Sequence, residues 1–257
     1  MRAVKAEREG TRSPARWRSA VDGHARRRDF RNVQAIRLFV DGFHPMKRTQ
    51  SQIRRLVEPA VARISAALKK LATAASGHLG GDCYLHMELG RVLLADIGVA
   101  SEPALGFAAW RVGAGDGDVI SHAPYSQGHA PLGTKAYPYH AWLHCRGFVV
   151  DLTTYQLRVK ARGLDAADGG HTTVTWCPDY LLLPLKAVKT YRQVAAAPHP
   201  GVAYYEARPE LDAFLRTRSP PDPADLAVAR LIIANPDVDV YGANTPLPDD
   251  DTFGSTT

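Results

Sequence analysis

Three residues of this 257-residue chain have the types and the order that acyl-transfer chemistry requires: Cys83, His140 and Asp151. A cysteine in the first turn of a helix is favoured as the thiolate, because unpaired backbone N–H groups and the positive end of the helix dipole stabilise the anion. A histidine beside it can take up the thiol proton. A carboxylate on the other side of the ring can hold the imidazole in one tautomer and stabilise its protonated form.

The elements that must position these groups follow from the pattern of apolar residues. Between Gln50 and Ala75 the residues Ile53, Leu56, Val57, Val61, Ile64, Leu68 and Leu71 recur at helical spacing, which predicts an amphipathic helix with a kink at Pro59. Gly77 to Gly81 stops it. Asp82 offers an N-cap for a second helix, Cys83 to Ile97, ended by Gly98, and Cys83 then lies in its first turn.

After Pro103 the pattern turns to short β segments over 104–112, 119–122, 139–145 and 148–154, with a loop at Gly128–Pro138. A two-residue turn of Cys145 and Arg146 would set His140 directly opposite Asp151, with Cβ atoms about 5 Å apart. The apolar run 174–183 precedes a helical stretch over 185–194. Tyr204-Tyr205 suggests a strand, and helices are expected at Pro209–Arg216 and Pro223–Ala234. Helices first, an antiparallel sheet in the middle and helices again make an α+β plan.

Gly81-Asp82-Cys83 at a helix start, His140-Ala141-Trp142 on a strand and Asp151-Leu152-Thr153 on the next resemble the transglutaminase-like, papain-like superfamily of cysteine enzymes, over residues 78–155. The resemblance implies a papain-like, transglutaminase-type fold with Cys83 as nucleophile, His140 as base and Asp151 as its orienter. It implies amide hydrolysis or transamidation through a Cys thioester, on a peptide, protein or small amide substrate. Leu152 stands where Pro is usual in that pattern. The backbone N–H of Cys83 is the natural first oxyanion donor, and Trp110, Trp142, His78 and Tyr84 are open as the second.

Two other readings are carried forward. One is a papain-like binding module without activity. The other is a metal site built from Cys83-x-x-His86 and the later His122, His129, His140, His144 and Cys145, against which stands the lack of a tight ligand pair such as His-Glu-x-x-His. No cofactor and no metal are expected.

Charge separates the chain into unlike parts. Residues 1–45 hold 11 Lys+Arg against 5 Asp+Glu, whereas the remainder holds 21 of each. The front is therefore expected to be a disordered or non-native extension ahead of a start at Met46, with nucleic acid a partner only through residues 1–45. The transglutaminase-like domain is expected over 46–242 and a disordered tail over 243–257. No run of eighteen apolar residues occurs, so no membrane partner is expected. Three widely spaced cysteines suggest reduced thiols in a cytoplasmic protein.

Overall fold

A computed structural model describes residues 49–77, 79–122, 139–211 and 220–245. The basic front with Met46, His78, the loop Gly128–Pro138 with His129, most of the helix expected at Pro209–Arg216 and the tail past Thr245 lie outside the described residues.

Helix α1, Gln50–Ala75, begins at a capping box in which the Thr49 hydroxyl accepts from the Gln52 N–H and the Gln52 side chain accepts from the Thr49 N–H. It runs through Pro59, which is exposed, so water can take the carbonyl that proline leaves without a donor. Helix α2 spans Cys83–Asp96. Asp82 occupies its N-cap position without capping it: the carboxylate instead accepts from the Ser76 hydroxyl at 3.2 Å. The two helices pack their apolar stripes, including Val61, Leu68, Leu89 and Leu93, on one face of an antiparallel sheet. Each such aliphatic side chain contributes about 1.5–3 kcal/mol on full burial.

The strands are β1 Glu102–Arg111, β2 Val119–His122, β3 His140–Cys145, β4 Phe148–Asp151, β5 Leu181–Pro184 and β6 Ala203–Ala207. β1 is the hub. One of its edges is covered by β6, with Ala108 opposite Tyr205. The other edge is shared end to end by β3, with Gly106 opposite His140, and β2, with Ala108 opposite His122. β4 and β5 extend the sheet beyond β3. The sheet's second face carries Trp110, Trp142, Val149 and Tyr205 and is covered by α3, Leu157–Asp168, through Leu157 and Ala161. Helix α4, Tyr191–Ala195, packs near β1, and α5, Pro223–Ala234, starts at an Asp222 side-chain cap and packs on α1. The chain is thus α+β, with helices on an antiparallel sheet. No helix among the described residues is long and apolar enough to cross a membrane.

Two expectations, the hairpin turn and the 185–194 helix, are corrected, and the 174–183 run is resolved. The β3–β4 turn is Arg146-Gly147, not Cys145-Arg146: both turn residues have positive φ, 47° and 85°, as a type I′ turn requires, and glycine takes that conformation freely. The 174–183 run yields a strand only at 181–184, because residues before it cross the sheet end as an extended strap whose Thr175 and Trp176 amides both donate to the Val112 carbonyl. The 185–194 stretch is a short 3₁₀ turn and α4 rather than one helix.

Candidate active site

Cys83, His140 and Asp151 come together at the junction of the α2 N-terminus and the start of β3. The Arg146-Gly147 turn makes Leu143 and Val150 partners, so Asp151 stands across from Trp142 and meets His140 diagonally. The expected direct opposition is displaced by two residues. An even displacement keeps both side chains on one face, and diagonal neighbours about 7–8 Å apart are within reach of a histidine ring.

His140 and Asp151 are fully buried, each 0% exposed, and Cys83 is 6% exposed. His140 Nε2 lies 2.8 Å from Asp151 Oδ2. The same oxygen accepts from the Tyr205 hydroxyl at 2.8 Å, and Tyr205 in turn accepts from Trp110 Nε1 at 2.8 Å. Asp151 Oδ1 accepts from the Thr153 amide at 2.9 Å and the Thr153 hydroxyl at 2.8 Å. Four donors therefore surround a carboxylate with no water contact, an arrangement that a buried anion requires.

These contacts set the protonation. Burial alone would push the Asp151 carboxyl up. The charge and hydrogen bond of His140, the Lys160 charge and the Thr153 amide outweigh it and hold the carboxyl well below the usual carboxylate range. An ionised Asp151 accepts only, so His140 carries its ring proton on Nε2.

Nδ1, the other ring nitrogen, is buried and makes no hydrogen bond among the described residues. The Cys83 thiol interacts with the same ring. Burial would raise the thiol, but interaction with His140, the Lys160 charge and the Ala141 amide bring it below an ordinary thiol. Burial would lower His140, yet the Asp151 carboxylate and the Cys83 thiol leave it raised despite Lys160. A depressed thiol facing an elevated imidazole is the electrostatic condition for a thiolate–imidazolium pair.

Aromatic rings fix the imidazole plane. Trp110 meets His140 edge-on at 4.8 Å between centroids, and His122 stacks on it at 5.7 Å and 15°. The stacking follows from β2 and β3 sharing one edge of β1, which sets the end of one strand beside the start of the other.

A polar scaffold holds the turn that precedes Cys83. The Gly80 amide donates to Gln156 Oε1 at 2.8 Å, Gln156 Nε2 donates to the Tyr155 hydroxyl at 2.9 Å, and that hydroxyl contacts His86 Nε2 at 2.9 Å. His86 Nδ1 lies 3.1 Å from the Asp82 carbonyl. Both ring nitrogens of His86 are thus engaged, and the described residues contain no group of three or more His, Cys, Asp and Glu side chains that could hold a metal ion. The Cys83–His86 metal reading has no support in this geometry. His144 accepts from Trp142 Nε1 at 3.0 Å, and Cys145 points at the Ala100 carbonyl. All three cysteines are free.

Of the side chains considered as second oxyanion donors, the indole N–H groups of Trp110 and Trp142 are already committed to Tyr205 and His144, and His78 is outside the described residues. Sequence reasoning held Trp110 only as an open oxyanion donor and missed Tyr205, Gln156 and Lys160 as neighbours of the site. Only the Tyr204-Tyr205 strand signal pointed at any of them, and it carried no register.

No family model and no curated protein matches the chain. A crystal structure of a genomics target is similar at 16% identity, covering 75% of this chain and 82% of that one with a TM-score of 0.44, a likeness too slight to carry any argument.

Proposed function

We propose that this protein is a cysteine-nucleophile acyl-transfer enzyme of papain-like, transglutaminase type, acting on an amide substrate through a thioester on Cys83. The observation that carries the reading is His140 itself: Nε2 is locked to a carboxylate that four donors keep ionised, Nδ1 has no hydrogen-bond partner among the described residues, and the Cys83 thiol interacts with the same ring. A purely structural buried histidine has both nitrogens satisfied, as His86 does.

The thiol proton passes to His140 Nδ1, and the thiolate sulfur forms a bond to the substrate carbonyl carbon. The carbonyl π electrons move onto oxygen, where first-turn amides of α2 can stabilise them. The tetrahedral adduct collapses as the carbon–nitrogen bond breaks, and the leaving amine takes the proton from His140. Water then gives a proton to His140 and adds to the thioester, releasing a carboxylic acid and restoring Cys83. An amine in place of water gives transamidation. Asp151 remains ionised throughout. Three free cysteines suit a reducing compartment.

The test is the pH dependence of iodoacetamide labelling at each cysteine, in the wild type and in His140→Ala. Cys83 should label fast below the ~8.5 pKa of an ordinary thiol and slow in the variant, while Cys145 and Cys177 should not respond. Labelling of Cys83 no faster than the other two, and indifferent to the variant, would leave an inactive papain-like binding module as the better reading.

A further inference from the structure

Lys160 is an anomaly. It is 7% exposed, on the α3 face turned toward the sheet, yet its ammonium forms no ion pair and no hydrogen bond among the described residues. Its one close partner is the Trp110 ring, whose centroid is 5.3 Å from Nζ. That same ring touches His140 edge-on at 4.8 Å, so the ammonium and the imidazole flank one indole. The Lys160 stem packs on the turn leading into Cys83: a Cβ on Gly80 would sit 3.5 Å from its Cγ. The ammonium is therefore held beside the reacting groups, between the nucleophile's turn and the histidine's aromatic wall.

A buried cation is costly unless an anion or several acceptors receive it. Asp151 supplies long-range attraction and no more, since its two oxygens are already filled by four donors. Asp151, by contrast, has both of its oxygens hydrogen-bonded inside the fold. Among the described residues Lys160 meets no hydrogen-bond acceptor, only the Trp110 ring.

We infer that the Lys160 ammonium receives a negatively charged group of the substrate, a carboxylate within a few bonds of the reactive carbonyl, so that the acyl donor is an anionic amide. This rests on the acyl-transfer reading of Cys83, since the anion is placed relative to that nucleophile. Free substrate arriving as an anion supplies the missing counter-charge on binding. An ammonium serves as a point charge for one carboxylate, which suits a small acidic acyl group better than a bidentate guanidinium site would.

The test is paired alkylation of Cys83 in the full chain by iodoacetate and by iodoacetamide, read by peptide mass spectrometry. Both form a thioether at their CH2 carbon with loss of iodide, and they differ in the charge of the group attached to that carbon. Dividing the two rates cancels the thiolate fraction and leaves the preference for the carboxylate, with free cysteine as reference. The wild-type ratio should exceed the reference by about tenfold, fall close to it in Lys160→Met, and persist in Lys160→Arg. A ratio unchanged in Lys160→Met, with iodoacetamide labelling still fast, overturns the anion subsite and leaves the nucleophile standing. Slow labelling by both reagents at neutral pH overturns both. If Lys160→Met does not fold, the wild-type ratio decides, and a value at or below the reference overturns the inference.

Discussion

Tyr205 and His140 donate to the same oxygen of Asp151, each at 2.8 Å, from strands on opposite sides of β1. The carboxylate is thereby clamped between the strand that bears the imidazole and the last strand of the sheet. The tyrosine hydroxyl also terminates the Trp110 indole N–H, and burial together with the Asp151 charge pushes its own titration well above that of a free phenol.

Tyr205→Phe removes one donor from Asp151 and orphans the Trp110 N–H. Leaving buried polar groups unpaired costs about 1–3 kcal/mol. Urea unfolding should show a lower midpoint at unchanged slope. An unaltered midpoint would mean that the clamp contributes nothing to stability.

Asp151→Asn tests the carboxylate. Its folded carboxyl titrates below the unfolded value of about 3.9, so the stability it contributes is fully present above that pH and is lost as the pH falls toward the folded value. The stability gap between wild type and variant should be widest near neutrality and should shrink below about pH 4. Cys83 labelling at pH 7 should fall by about tenfold or more, because the imidazole loses the charge that keeps it protonated. A gap that does not change with pH contradicts an ionised Asp151.

His86 carries a second pH dependence. Burial holds it below its unfolded value of about 6.5 in spite of Asp82, so its contribution is present above that pH and fades as the pH drops. Comparing wild type with His86→Gln at pH 7 and pH 5 should show the difference in unfolding free energy narrowing at the lower pH. Widening would mean that the imidazole is charged in the fold.

Gly106→Ala tests the β1–β6 contact. A Cβ there would stand 1.9 Å from the Glu206 carbonyl oxygen, and backbone rather than a mobile side chain would have to yield. A loss of about 2–4 kcal/mol is expected, with weakened pairing of the strand that carries Tyr205. Gly147→Ala meets open space and only the strain of φ 85°, so it should cost about 1–2 kcal/mol. Equal losses would show that close approach at Gly106 is not the constraint.

Local signals made much of the fold legible. Thr49 with Gln52, and Asp222 with Pro223, mark helix starts that the chain uses at those residues. Helix α3 was illegible because only Leu157, Lys160 and Ala161 of its residues are buried, and a lysine on the inward face breaks the apolar stripe that reveals a helix. The convergence of Cys83, His140 and Asp151 was visible because two of the three share a hairpin. Its support was not: Tyr205 reaches Asp151 from 54 positions further along the chain, and pairing at that separation leaves no periodic trace.

That separation also sets an order of events. When a growing chain has emerged only through Asp151, it already contains the thiol, the imidazole and the carboxylate, but the strand bearing Tyr205 has yet to be made. Until β6 docks on β1, the carboxylate lacks one of its four donors and the indole wall beside His140 has no anchor. If Cys83 is the nucleophile proposed above, its environment is complete only when the sheet is, and a prematurely terminated product carries the three side chains without that setting.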